Sequence, residues 1–170
     1  MAASAWTMFP RGRHHIGTQS LSAGTYRLTL HKTAASANLS ASAITTWASI
    51  GNECSGGGLS ATALASLAWT AGASANIQKW DAADIVITAS ASDITNVRFA
   101  VIRLSTSASG GLPICYAALS TAAFTVSTGN TLTIQLATTG KELPLCQGTG
   151  IANFVNSGKA SNEAILSQAA

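Results

Sequence analysis

The chain has 170 residues, and 9% of them are Asp, Glu, Lys or Arg, against about 25% in an ordinary soluble domain. Small residues dominate, with 33 Ala, 21 Ser and 20 Thr; 47% of the chain is hydrophobic and only 6% aromatic. The absence of a Gly-X-Y period and of charged heptads, three cysteines and a mean hydropathy of +0.31 exclude collagen, a coiled coil, a dense disulfide scaffold and a disordered chain. One globular domain with a small-residue, mostly β core remains.

The formal net charge is +3 and the sequence pI about 9.0. Arg11, Arg13, His14 and His15 form the one basic cluster. The segment up to Lys32 holds Arg11, Arg13, Arg27 and Lys32 and no acid. That pattern suits a local contact between the N-terminal segment and an anionic surface, or a solvated or subunit-docked tail. It falls short of the basic face of a nucleic-acid binder. A surface so poor in charge suits close contact with other protein. Residues 1–8 lack the basic n-region of a secretory leader. No apolar run approaches the roughly 18 residues of a membrane span. Cys54, Cys115 and Cys146 have no CxxC spacing and read as free thiols of a reducing cytosol. Cys115 lies in an apolar run, as a small buried hydrophobe would.

In chain order, residues 1–21 read as an extended arm with a turn at residues 10–12. Residues 25–31 alternate: Tyr26, Leu28 and Leu30 fall on one face, Arg27, Thr29 and His31 on the other, the pattern of a half-buried strand. Residues 33–49 form a connection whose state the sequence leaves open. Residues 51–58 form a loop, and Gly56, Gly57 and Gly58 in it supply positive φ. No Lys-Ser/Thr pair follows, so it is no phosphate loop. Residues 64–70 read as a strand ending at Trp69, with a turn at 71–75. Residues 77–80 lead into Asp81-Ala-Ala-Asp84, and residues 85–88 form a short strand. Residues 97–104 form the strongest strand. Val97, Phe99 and Val101 are expected on one face and Ala100, Ile102 and Leu104 on the other, so both faces are buried. After a turn at 105–111, residues 112–119 form a strand with Pro113 at its start. Residues 124–126 and 131–136 are expected to pair as a hairpin through the Gly129-Asn130 turn. Residues 147–170 read as a tail outside the core.

Groups able to do chemistry are sparse. Asp81 and Asp84 read as turn residues rather than as a metal or acid–base pair. His14 and His15, placed on an extended arm, point to opposite sides, so joint metal ligation is disfavoured. His31 completes no zinc set. No nucleophile motif is present. Arg98 and Arg103 are expected as strand-end or interface groups. Trp6, Trp47, Trp69 and Trp80 are expected as core or interface anchors.

Seven or so short strands separated by turns point to an all-β, antiparallel jelly roll or β-sandwich with N- and C-terminal arms. The expected divisions are an arm at 1–21, a β-domain at 22–146 and a tail at 147–170. The segments Tyr26-Arg-Leu-Thr-Leu30, Leu67-Ala-Trp-Thr70, Trp80 to Thr88, Val97 to Ile102, Leu112 to Tyr116, Phe124 to Gly129 and Leu132 to Leu136 stand in a characteristic order. In that order the chain resembles a group of small structural proteins of tailed-bacteriophage and prophage virions. Asp81-Ala-Ala-Asp84 and Arg98-Phe-Ala-Val-Ile102 carry most of the resemblance, which spans residues 17–145. The group's aromatic residue in the glycine loop is missing at Ser55-Gly-Gly-Gly58. Its tyrosine after the Ala-Val-Ile run is replaced by Arg103, and residues 148–170 extend past the pattern.

The resemblance implies a jelly-roll capsid decoration (cement) protein. Such a protein binds the outside of the head shell across major-capsid subunit junctions and stabilises it. It implies a virion location after assembly in the host cytoplasm. The expected partners are the major capsid protein and further copies of the chain as a dimer or trimer, with no direct nucleic-acid contact and no membrane. No catalytic residue carries over, no cofactor or metal is expected, and an enzyme is not. The candidate capsid or subunit interface residues are Trp6, Phe9, Arg11, Arg13, His14, His15 and Phe154. A minor component of the neck, tail or fibre base is the second reading, separated from the first by copy number. A carbohydrate-binding β-sandwich is the third, and it requires an exposed Trp80 or Trp47.

Overall fold

The computed structural model describes residues 4, 6–18, 25–40, 44–71, 78–105, 111–135, 146–147 and 153–154. Its elements run β1 (Thr7–Met8), α1 (Pro10–Thr18), β2 (Tyr26–Lys32), α2 (Ser36–Leu39), β3 (Thr62–Ala63), β4 (Ala68–Ala71) and β5 (Gln78–Asp81). They continue with β6 (Ile85–Thr88), β7 (Ile94–Leu104), β8 (Leu112–Ala118), β9 (Phe124–Val126), β10 (Thr131–Ile134), β11 (Cys146–Gln147) and β12 (Asn153–Phe154). Every pairing among the strands is antiparallel. The chain is all-β with few helices.

The main sheet has the order β1-β8-β7-β2-β3, and β9 also pairs with β7. β7 is the longest strand. Its Val97, Phe99, Ala100, Val101, Ile102 and Arg103 are all buried, as expected of a strand covered on both sides. On one face Tyr26, Leu28, Leu30, Ala100, Ile102, Ile114 and Cys115 join Ile85, Ile87 and Ile134 of the β6/β10 ribbon. On the other, Phe99 and Val101 pack with Phe9, Ala35, Leu39, Ile44 and Ile50. The connection whose state the sequence left open supplies this second cover, through 3-10 turns at Thr33–Ala35 and Trp47–Ser49 and the short helix α2. β2 is therefore buried on both faces, Thr29 and His31 included, and not half-buried as the alternation suggests.

Three local expectations change. Val97 packs with Ala100 and Ile102 rather than with Phe99 and Val101. His31 pairs with Phe99 and Lys32 with Val97, so Arg98 is the extra residue of a bulge that reverses the alternation. The neighbouring Asn96 takes φ +59°. Second, β9 and β10 do not pair with each other: β9 joins β7 and β10 joins β6. A two-residue hairpin turn of type I′ needs positive φ at both central residues. Here Gly129 alone is positive, at +87°, and Asn130 N–H closes the turn on Ser127 O at 2.9 Å. Such a type II turn splays its strands and sends them to different sheets. Third, of the strand expected over 64–70 only the part from Ala68 onward forms, as β4; residues 64–67 are irregular, with Ser66 at φ +54°, and β3 lies before them. The C-terminal tail falls outside the described residues, apart from the backbones of β11 and β12.

The N-terminal segment differs most from expectation. It is not an extended arm, because β1 pairs with Cys115 and Tyr116 of β8 and α1 follows at once. Phe9 N–H donates to Ile114 O at 3.0 Å, and Pro10 opens the helix, where its missing N–H costs nothing. Gly12 reads as a turn residue in sequence, yet it lies inside α1 at the crossing with β8. A Cβ there would collide with the carbonyl oxygen of Ile114. Gly12→Ala is accordingly expected to push α1 off β8 and to lower stability by about 1–3 kcal/mol. Urea unfolding measures this, and an unchanged midpoint would contradict the close crossing.

Candidate functional site

α1 has two sides. Gly12 and Ile16, four residues apart, face inward: Gly12 is buried and Ile16 packs on the main apolar cluster. Arg11, His14 and His15 sit at i, i+3 and i+4 and share the other side. With Pro10 and with Leu112 at the start of β8 they line a hollow of about 480 Å³. Arg11, Arg13 and His14 are exposed and His15 is half-buried. His14 and His15 thus reach one hollow, contrary to the expectation for an extended arm. Adjacent side chains on a helix lie about 100° apart, not on opposite sides.

The inner wall is anchored in the core. His15 Nε2 lies 3.1 Å from the Tyr26 hydroxyl. Tyr26 meets Trp80 edge to face at 4.9 Å between ring centroids. Burial lowers the His15 pKa, and the neighbouring His14 lowers it further. Burial raises the Tyr26 pKa, so its hydroxyl keeps its proton. Among the described residues the hollow therefore offers a guanidinium, two imidazoles and the apolar side chains of Pro10 and Leu112, with no carboxylate or thiol. The Arg11 guanidinium can donate hydrogen bonds to an anionic group there.

Trp6 and Phe9, expected at an interface, belong to the protein's own core, at 4% and 1% exposure. Phe9 stacks on Tyr116 at 5.1 Å. The side chain of Phe154 lies outside the described residues. The sequence did not mark Pro10, Leu112 or Tyr26. The aromatic-Pro pair before the basic run is the one signal that could have indicated a helix start there.

A second polar group lies beneath the α2 cover. His31 is fully buried; its Nδ1 donates to Gly51 O at 2.8 Å, and its Nε2 lies 3.0 Å from Thr29 Oγ1. A carbonyl can only accept, so Nδ1 carries the proton and Nε2 accepts from Thr29. Trp47 Nε1 donates to the same hydroxyl at 3.3 Å. Arg103 is internal, at 6% exposure, and stacks over the Trp47 ring at 4.3 Å. It stands one residue from the end of β7, as expected of a strand-end group, but is buried. Arg103 Nε and Nη1 are buried without an acceptor among the described residues. Burial lowers its pKa and Glu53 raises it, while burial raises the Glu53 pKa and Arg103 lowers it. Arg98 is half-buried, over the Phe99 ring at 5.2 Å.

Trp80, at 2% exposure, and Trp47, held between Thr29 and Arg103, present no open platform to a sugar. Asp81 Oδ1 accepts from Ala82 N–H at 2.8 Å, a turn contact, and Asp84 accepts from Gln135 at 3.2 Å. Among the described residues no three His, Cys, Asp or Glu side chains group around a metal position. No helix there is long and apolar enough to cross a membrane. Cys54 and Cys115 are buried free thiols, and burial pushes the Cys54 pKa to about 11. No protein-family model, curated protein or solved structure matches the chain.

Burial lowers the His31 pKa against the opposing pull of Gly51 O. In the unfolded chain the imidazole titrates near 6.5. Below that pH the unfolded state binds a proton that the folded state refuses. Stability is therefore present above about pH 6.5 and falls on acidification, by at most about 1.4 kcal/mol per pH unit for this group. Urea titrations at pH 7.5 and 5.5 measure the drop. His31→Gln is expected to remove this part of it, and an equal drop in both proteins would contradict the assignment.

Proposed function

We propose that the chain is a decoration (cement) protein of a tailed-bacteriophage head shell. Its fold is a jelly-roll-type sandwich, and it binds as a dimer or trimer over junctions between major-capsid subunits. The observation that carries this reading is the exterior. Among the described exposed residues the ionisable side chains are Arg11, Arg13, His14, Asp84 and Asp93; the others are chiefly Ser, Thr, Ala, Gly and Asn. Short uncharged side chains lose little hydration or rotamer freedom when another protein covers them. Charged residues are correspondingly depleted at the centre of interfaces.

Two further points support it. The segments that resemble virion structural proteins fall, in order, on β2, β4, β5 with β6, β7, β8, β9 and β10. The hollow on α1 presents a guanidinium beside apolar surface, a combination suited to contact with another protein. The N-terminal contribution differs from that of a free arm. Trp6, Met8 and Phe9 are core residues, so removing the first 16 residues would damage the fold and could not isolate a contact. Shell contact on this side is assigned to α1.

Density maps of virions that carry the protein test the reading. The expected result is density on the outer head surface, at a copy number comparable with that of the major capsid protein. A few copies confined to the neck or tail would favour the minor-component reading. Absence from the particle would sink both.

A further inference from the structure

We propose that the hollow formed by Pro10, Arg11, His14, His15 and Leu112 is a docking site for a carboxylate-rich segment of a partner protein. The inference rests on the shell-binding reading for the partner's identity, but not for the chemistry of the hollow.

No acid precedes Glu53 in the sequence. Among the described exposed residues, the arginines are Arg11 and Arg13, both on α1. The exposed acids are held by donors of their own chain. Asp84 accepts from Gln135. Asp93 accepts from the Thr128 N–H at 2.8 Å and its hydroxyl at 3.0 Å, which hold its carboxyl below the usual range. Among the described exposed residues the positive charge is therefore gathered on α1.

Shape and chemistry narrow the ligand. A guanidinium matches a carboxylate in a planar two-point contact. Pro10 and Leu112 supply apolar surface for the methylene groups that bear it. His15, braced by Tyr26 and through it by Trp80, gives the site a fixed wall. Preorganisation of this kind lowers the ordering cost of binding. Two arginines and two imidazoles are too few to track a nucleic-acid backbone, which needs an extended run of cations. The occupant is an acidic stretch of polypeptide.

The test uses the full chain and three probes: a glutamate-rich peptide, inorganic phosphate and a short DNA duplex. The peptide is expected to shift the amide NMR signals of α1 and of Leu112, with an affinity that falls as salt rises. Arg11→Gln is expected to weaken it by about tenfold, the loss of one charge-assisted contact, and Arg11→Glu by more. Arg11 is exposed, so unchanged melting curves will show that both variants fold. The proposal is overturned if the peptide does not bind, if the Arg11 variants bind it equally well, or if phosphate or DNA binds at least as tightly. Should the peptide fail while the protein still decorates heads, the hollow is misassigned and the shell reading stands. Should the peptide bind while the protein is absent from heads, the reverse holds.

Discussion

β7 is apolar on both faces, and that constraint organises the molecule. A strand of this kind is stable only if each side of its sheet is covered. The two covers come from different parts of the chain. The β6/β10 ribbon closes one side with Ile85, Ile87 and Ile134. The segment around α2 closes the other with Ala35, Leu39, Ile44 and Ile50. Sheet neighbours are also drawn from both ends of the described chain: β1 edges β8, and β9 joins β7 near its start. β1, β2, β3, β8 and β9 are thus held through β7 or through a strand paired to it, while β4/β5, β6/β10 and β11/β12 form ribbons of their own.

The second cover has a polar lining. Thr29 and His31 would face solvent in a half-buried strand; here they are buried, Thr29 against Trp47 and His31 against the Gly51 carbonyl. Their hydrogen bonds to one another and to Gly51 satisfy groups that would otherwise be costly to bury. Arg103 enters the same region with its charge spread over the Trp47 ring. That arrangement makes this side of the sheet sensitive to protonation, while the side facing the β6/β10 ribbon is almost wholly apolar.

Much of the strand pattern was legible. β2, β6, β7 and β8 announce themselves through alternation or an apolar run, because side chains in a strand alternate whatever packs on them. The bulge at Arg98 was not legible, since one extra residue leaves the composition unchanged and reverses the faces. The β9–β10 connection was misleading for a different reason: Gly-Asn suits a hairpin turn, but the φ values that distinguish turn types depend on where the flanking strands pair. α1 carries no apolar stripe long enough to signal a helix. Its Gly12 looks like a breaker until the carbonyl of Ile114, about a hundred residues away, explains it.

By itself the sequence determined the β character of the chain, the poverty of charge on its exterior and the gathering of positive charge at Arg11, Arg13, His14 and His15. These follow from composition and from periods of a few residues, which are local properties. Only the tertiary structure decided that Trp6 and Phe9 serve the core while Arg11, His14 and His15 stay outside it, and that Leu112 completes a hollow with them. The reason is that the N-terminal segment takes its conformation from its contact with β8, a partner distant in sequence that no local pattern names.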